Sequence, residues 1–147
     1  MSVLVDTNVL LRRTQPGHES HGVAVASVAR LLASGEELYF TLQNIAEFWS
    51  VVTRPVGSNG LGFSPKTAAA EVEKIERALI VLGDTPALYG QWKRLVVQHG
   101  VVGTKVHDTR LVAAMMVHRV PKILTFNTAD FVRYPIEVLK PADIAAG

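Results

Sequence analysis

Residues 3–11 read VLVDTNVLL, and this stretch does most to indicate the fold. The apolar run Val3-Leu4-Val5 is short and rich in β-branched residues, which predicts a buried strand. The run ends at Asp6, and ligands of an open parallel sheet bind beyond the carboxyl ends of its strands. An acid at this point is therefore placed for function. Asp6 is equally suited to cap a helix, and the two roles are compatible because a cap uses only one carboxylate oxygen.

The rest of the chain alternates between short apolar runs and segments with helical spacing. Four further runs predict strands: residues 37–41, 79–82, 122–126 and 136–139. Five segments between them predict helices: residues 23–34, 42–53, 65–78, 85–99 and 107–118. Strands that alternate with helices are typical of a parallel sheet covered on both sides. We therefore expect an α/β fold, with residues 1–147 forming one domain.

Composition limits the possible classes of protein. Of the 147 residues, 48% are hydrophobic and 19% are charged, which suits a well-filled core. The chain has no cysteine, so disulfides, cysteine nucleophiles and thiolate metal sites are excluded, and a cytoplasmic location is expected. Asp6 interrupts the first apolar run and no apolar run reaches 18 residues, so we expect neither a signal peptide nor a membrane span. The net charge of +2 indicates that any site for a polyanion is local.

Glu47 is a second candidate functional acid, in the predicted helix 42–53. Gln43, Asn44 and Ser50 share its face and form a narrow polar stripe on an otherwise apolar helix. A carboxylate buried there would be costly unless it were paired or bound to a cation. The alternative is that the stripe is simply a solvent-exposed helix face.

Asp108 and Asp130 complete the set of acids. Asp108 begins the predicted helix 107–118, and because Leu111 and Val112 share its face we expect it to point toward the core side. Asp130 follows the fourth predicted strand within TFNTADF, near Thr125. Either acid alone could serve as a helix cap or a turn residue.

The four acids together indicate a metal site. If the first strand is central in a doubly wound sheet, Asp6, Glu47, Asp108 and Asp130 converge where the strand order reverses. Carboxylates that converge repel one another unless cations lie between them, and Mg²⁺ or Mn²⁺ suits such oxygen ligands. Zinc fits poorly, because the chain has no cysteine and no HExxH motif.

The same residues carry a resemblance to a known family. VLVDTNVLL, NIAEFW, VHDTRLVAAM and LTFNTADF, in this order, resemble the motifs of a PIN domain, and the chain is similar in length and layout to VapC-like toxin ribonucleases. The resemblance implies a three-layer α/β/α sandwich with five parallel strands. It also implies Mg²⁺- or Mn²⁺-dependent cleavage of RNA, a homodimer and a cognate antitoxin. Asp6, Glu47 and Asp108 match the family's most regular acids and Asp130 its more variable fourth, with Thr7, Asn8 and Asn127 as supporting polar residues.

Basic residues near the acids are candidates for contact with RNA phosphates, with ordinary solvated charge as the alternative. They are Arg12, Arg13, Arg54, Lys105 and Arg110. Phe48, Trp49 and Trp92 have helical positions that favour core packing over base stacking, and His107 is expected to be a plain residue at a helix start. Residues 55–64 are rich in glycine but lack the phosphate-cradle pattern, which predicts a flexible loop.

The sequence is also compatible with three other classes of protein. A PIN fold could bind RNA or a protein without cutting. A metal-dependent phosphohydrolase of small esters would need a compact specificity pocket, and the chain has no cap domain to form one. A flap-cleaving DNA nuclease normally carries more acids and more helices than this chain.

Overall fold

A computed structural model describes residues 1–147. Its strands are β1 Ser2–Val5, β2 Glu37–Thr41, β3 Ile80–Leu82, β4 Lys122–Leu124 and β5 Glu137–Leu139. Its helices are α1 Thr7–Arg13, α2 His21–Ala33, α3 Leu42–Thr53, α4 Pro65–Ala78, α5 Ala87–Gln98, α6 Val106–His118 and α7 Pro141–Ala146. No helix is both long and apolar enough to cross a bilayer.

The five strands form one parallel sheet in the order β3-β2-β1-β4-β5. Val3 of the central strand β1 lies opposite Leu38 of β2 on one side and Lys122 of β4 on the other. The chain builds the sheet outward from β1 in one direction and then returns to add β4 on the opposite side. The strand order therefore reverses at β1, and the crevice beyond the ends of β1 and β4 is the place where ligands bind in such sheets.

Helices cover both faces of this sheet. Val3 and Val5 pack into one buried cluster with residues of α1, α2, α3 and α4, whereas Leu4 packs into a second cluster with residues of α5 and α6. Successive strand residues point to opposite faces, so β1 contributes to both cores. The predicted three-layer α/β/α arrangement with five parallel strands is confirmed.

Element boundaries agree best where proline marks them. Helices α3 and α4 have the predicted bounds, since Pro55 follows the first and Ser64 caps the second with Pro65 at its first position. The sequence shows no helical pattern for α1 or α7, although the capping role considered for Asp6 implies a helix directly after β1. They have 7 and 6 residues, too few for a helical pattern to be recognised. The predicted strand 122–126 is wrong at its end, because β4 stops at Leu124.

The segment predicted as a flexible loop, residues 55–64, contains a 3₁₀ turn at Val56–Ser58 and folds back on the end of α3. The amide of Leu61 donates to the carbonyl oxygen of Val51 at 3.2 Å, and that of Phe63 donates to Val52 at 2.8 Å. Gly60 permits this close approach, since a Cβ there would lie 2.0 Å from the carbonyl oxygen of Arg54. The segment therefore fixes the backbone around Arg54.

Candidate functional site

Asp6 lies directly after the central strand and caps α1. Its Oδ1 accepts a hydrogen bond from the amide of Thr7 at 2.8 Å, and its Oδ2 accepts one from the hydroxyl of Thr125 at 2.8 Å. The side chain is buried, with the residue only 7% exposed. Burial is the main cause that raises the pKa of Asp6 from 3.8 to about 6, and the negative charges of Asp108 and Glu47 add to it, against the two hydrogen bonds.

Thr125 connects the two strand ends at the crevice. It is fully buried just beyond β4, and its hydroxyl oxygen also accepts hydrogen bonds from the Asn8 side chain at 3.3 Å and from the amide of Asn127 at 3.0 Å. Asn8 in turn accepts one from the amide of Phe126 at 3.3 Å. In the sequence, Thr125 stands out only as a neighbour of Asp130. Its contact with Asp6 joins residues 119 positions apart, and a polar residue at the end of a buried strand is the one signal that could have found it.

Glu47 is held by a hydroxyl group rather than by a basic residue. Its Oε1 accepts a hydrogen bond from Thr7 at 2.8 Å, and Thr7 accepts one from the side-chain amide of Asn44 at 3.0 Å. Asn44 also forms a capping box with Thr41, which starts α3. Asn44 is fully buried, so the predicted polar stripe on this helix is not simply a solvent-exposed face. Asn44 was not predicted as a supporting residue.

Asp108 lies in the first turn of α6, where it is partly buried and lines the crevice. The sequence predicts that it points toward the core side, whereas its side chain faces the crevice. Partial burial is the main cause that raises its pKa, and the negative charges of Asp130 and Glu47 raise it further, while Lys105 lowers it. Asp108 is therefore electrostatically coupled to Asp6, Glu47 and Asp130 alike.

The carboxylates of Asp6, Glu47 and Asp108 line one concave pocket of about 540 Å³ at the carboxyl ends of the strands. The predicted residues that line it are Asp6, Thr7, Asn8, Glu47, Arg54, Asp108 and Asn127. We call it the acidic pocket. Asp130 does not line it. Asp130 lies in a 3₁₀ turn, Thr128–Asp130, and its carboxylate forms an ion pair with Lys105, which raises the pKa of that lysine.

The acidic pocket suits a hard cation by its chemistry. No group of three or more His, Cys, Asp or Glu side chains lies close enough to form a ready metal cage. Three carboxylates nevertheless line the pocket, and the charges of two of them, Glu47 and Asp108, oppose the ionisation of the third, Asp6. Oxygen donors of this kind are the ligands that Mg²⁺ and Mn²⁺ prefer, so Asp6, Glu47 and Asp108 are the residues that could hold one ion.

Among the predicted basic residues, only Arg54 lines the acidic pocket. It is exposed and is the C-cap of α3, with φ −62° and ψ 147°, rather than a residue within that helix. Arg12 donates to Gln15 at 2.7 Å, Arg110 pairs with Asp84 at 3.2 Å, and burial lowers the pKa of Arg13. Arg54 donates only a long hydrogen bond, at 3.5 Å, to the carbonyl oxygen of Asn59. Since it alone lines the pocket, it is the basic side chain best placed to meet an anion there.

The aromatic residues divide between core and surface. Phe48 is fully buried and Trp49 packs against the same core, as predicted. Trp92 packs partly against the second core but also lines a pocket on the surface. For Trp92 the prediction of core packing is therefore incomplete.

Comparison with known protein families identifies a class with this arrangement, a doubly wound sheet with acids at its switch point. The family model described as "PIN domain" matches residues 3–137, and the chain belongs to this family. A search of curated proteins found none whose sequence matches this chain.

Solved structures of similar fold come from bacterial toxin–antitoxin systems. VapBC2 from Rickettsia felis, bound to a DNA fragment from its promoter, has a TM-score of 0.68 and 15% identity, covering 95% of this chain and 98% of that one. DNA-bound VapBC from Salmonella typhimurium has a TM-score of 0.67 and 21% identity, covering 96% and 98%. VapC20 of Mycobacterium tuberculosis, a sarcin-ricin-loop-cleaving toxin, has a TM-score of 0.60 and 21% identity, covering 82% and 86%. At these identities the likeness is one of fold.

Proposed function

We propose that this protein is a metal-dependent endoribonuclease that hydrolyses RNA phosphodiester bonds, and that it is the toxin of a toxin–antitoxin pair. The observation that carries the proposal is the position of Asp6, Glu47 and Asp108 in one pocket at the switch point of a PIN fold. The cleavage would leave a 5′-phosphate and a 3′-hydroxyl.

In this proposal the three carboxylates hold one Mg²⁺ or Mn²⁺ ion. A bound divalent cation supplies Lewis acidity toward a phosphate oxygen and lowers the pKa of water for in-line attack. Thr125 and the amide of Thr7 fix both oxygens of Asp6, and the hydroxyl of Thr7 fixes Glu47. These hydrogen bonds orient the carboxylates before any ligand arrives, which is the role that outer-shell partners commonly have.

Positive charge around the acidic pocket would bind the RNA. Arg54 lines the pocket and is exposed, so its guanidinium group is available to a phosphate. Lys105 lies beside Asp130 and acts electrostatically on Asp108. In a two-ion form of this mechanism, a second metal ion near Asp130 would neutralise the leaving 3′ oxygen. Because Asp130 already has Lys105 as its ammonium partner, we propose that one ion suffices.

The proposed partners are an antitoxin protein and a second copy of the chain. Support for the antitoxin comes from the fold neighbours, which include VapBC and FitAB bound to DNA. An antitoxin that presents an arginine or a helix end to the acidic pocket would compete with RNA phosphate for the same groups. The proposed site of action is the cytoplasm.

The test is cleavage of a panel of RNA oligomers in Mg²⁺ or Mn²⁺ by the wild-type protein and by Asp6→Asn. We expect cleavage by the wild type, loss with EDTA, and loss in the variant. Cleavage that survives thorough chelation, or an Asp6→Asn variant as active as the wild type, would overturn the proposal. RNA binding without cleavage would identify a non-catalytic module. Preference for a simple phosphomonoester would identify a phosphohydrolase.

A further inference from the structure

A second concavity of about 440 Å³ lies beside the acidic pocket. Leu88, Tyr89 and Trp92 of α5 line it, together with Val106, His107 and Arg110 of α6. We call it the aromatic pocket. Exposed apolar patches often mark binding sites. The apolar residues of the aromatic pocket form such a patch next to the acidic pocket.

Two aromatic rings form the exposed part of the aromatic pocket. Tyr89 is 67% exposed, and its ring centroid lies 6.5 Å from that of Trp92, with the planes inclined by 32°. The indole N–H of Trp92 donates to the carbonyl oxygen of Val106 at 2.9 Å, which ties that ring to the start of α6. A fixed Trp beside an exposed Tyr offers flat apolar surface, which is what an unstacked nucleobase requires.

The aromatic and acidic pockets meet at the first turn of α6. His107 and Arg110 line the aromatic pocket, whereas Asp108, between them in sequence, lines the acidic pocket. The side-chain amide of Gln43 donates to the carbonyl oxygen of His107 at 2.8 Å and so joins this turn to α3, which carries Glu47. A strand whose phosphate lies at Asp108 would therefore bring a neighbouring nucleotide to the aromatic pocket.

Charge at the rim of the aromatic pocket suits a nucleic acid. Arg110 pairs with Asp84 at 3.2 Å, and both side chains are about two-fifths exposed, at 42% and 41%. A pair this exposed contributes little stability, so a phosphate can replace Asp84 as the partner of Arg110 at small cost. His107 is exposed at the same rim.

We propose that the aromatic pocket binds one unpaired nucleobase of the RNA strand next to the phosphate that is cut, by stacking on Tyr89 and Trp92. This inference rests on the proposed function, since it places the base relative to the scissile phosphate. It assigns a subsite that selects single-stranded RNA, because a base can enter the pocket only when it is unstacked and unpaired.

The test compares Tyr89→Ala with Val97→Ala, an exposed residue of the same helix that does not line the pocket. On unstructured RNA we expect Tyr89→Ala to raise KM about 5- to 100-fold, the range for loss of one stacked base, and Val97→Ala to leave KM unchanged. An abasic nucleotide at one position beside the cleavage site should raise KM similarly for the wild type and cause no further change in Tyr89→Ala.

Binding can be measured without cleavage. In an Asp6→Asn, Trp49→Phe background Trp92 is the one remaining tryptophan, and its emission should be quenched by the intact oligomer but not by the abasic one. Equal KM for wild type and Tyr89→Ala, with cleavage that still needs Asp6, would overturn the subsite and leave the proposed function standing. Quenching by intact RNA alone, with no cleavage by the wild type, would support base binding and overturn the nuclease.

Two other results would also overturn the subsite. If Tyr89→Ala changes the molecular mass in light scattering, the aromatic pocket is covered by a second copy of the chain. If Tyr89→Ala abolishes inhibition by the proposed antitoxin, taken as the protein encoded by the neighbouring gene, while KM for RNA stays the same, the occupant of the aromatic pocket is a peptide.

Discussion

The ammonium group of Lys105 is paired with the carboxylate of Asp130, beside the acidic pocket rather than inside it. Asp6, Glu47 and Asp108 share the pocket. The fourth predicted acid, Asp130, instead pairs with Lys105, the last residue of the 3₁₀ turn Gly103–Lys105 that precedes α6. The two groups of charges still interact, since both Lys105 and Asp130 affect the pKa of Asp108. The acids therefore divide into three that could hold an ion and one that is already neutralised.

Removing Lys105 tests this division. In Lys105→Met, Asp130 would lose its partner, and its negative charge would oppose phosphate binding. We expect a two- to fivefold rise in KM for RNA, about the strength of an exposed ion pair. The control is Lys105→Met with Asp130→Asn, which restores the local charge and should recover most of the loss. A single variant with wild-type KM would show that the pair has no part in binding RNA.

Replacing Thr125 by valine removes the hydroxyl that donates to Asp6 at 2.8 Å, with little change of shape. Loss of such an outer-shell partner typically weakens metal affinity or activity about 10- to 100-fold, and we expect this loss in the Mn²⁺ dependence of RNA cleavage. Ser27→Ala is the control, since Ser27 is equally buried and its hydroxyl donates only to Ala24 within α2. Equal Mn²⁺ requirements in the two variants would contradict the role of Thr125.

The buried Asp6 should make stability depend on pH in the metal-free protein. Its pKa is raised from 3.8 to about 6 on folding, so the folded state binds the proton more tightly. This stabilising contribution is fully present below about pH 4 and is lost as pH rises through about 6. The full effect is roughly 3 kcal/mol, at 1.36 kcal/mol for each unit of pKa. Mg²⁺ should recover stability above pH 6.

Urea unfolding in EDTA, from pH 4 to pH 7, measures this effect. The free energy of unfolding of Asp6→Asn should fall less over this range than that of the wild type, because the amide does not titrate. Parallel curves for the two proteins would contradict the raised pKa of Asp6.

Arg54 should contribute one phosphate contact. Arg54→Ala should weaken RNA binding and lower the slope of log affinity against log salt by about 0.7, the value for one contact to a single strand. Arg77→Ala is the control, since Arg77 is exposed on α4 and pairs only with Glu73. Filter binding in the Asp6→Asn background gives both slopes, and equal slopes for the two variants would exclude a phosphate contact.

Gly60 should matter because of the space it leaves for the backbone of Arg54. A Cβ at residue 60 would lie 2.0 Å from the Arg54 carbonyl oxygen, so Gly60→Ala must displace this segment. We expect a loss of about 1–3 kcal/mol in stability and a raised KM for RNA. Gly57→Ala is the matched control, because its Cβ would meet nothing within 4 Å. Similar melting temperatures for both variants would contradict this packing.

The sequence was sufficient for the sheet and for the acids at its edge. Asp6 follows a strand whose apolar run is unmistakable, and helices α3 and α4 are bounded by Pro55 and Ser64-Pro65, so local chemistry determines their ends. Contacts between distant residues were not predictable in this way. Asn44 supports Thr7 across 37 positions and Lys105 pairs with Asp130 across 25, and neither spacing has a pattern that one sequence can reveal.

The basic residues show the same limit. Arg12 and Arg110 lie near the acids in sequence, yet Gln15 and Asp84 engage their guanidinium groups in the folded chain. Arg54 lines the acidic pocket where residues 55–63 fold back onto the end of α3. The glycine content of this segment predicts only a loop and does not reveal that the loop packs against α3.

The hydrogen bond from Thr125 to Asp6 also determines when in synthesis the acidic pocket can be complete. Asp6 leaves the ribosome first, and its partner Thr125, just beyond β4, follows 119 residues later. A nascent chain without β4 has an exposed edge at β1 and lacks one of the hydrogen bonds that orient Asp6. In the proposed ribonuclease, this order would keep the growing chain inactive beside the ribosome that makes it.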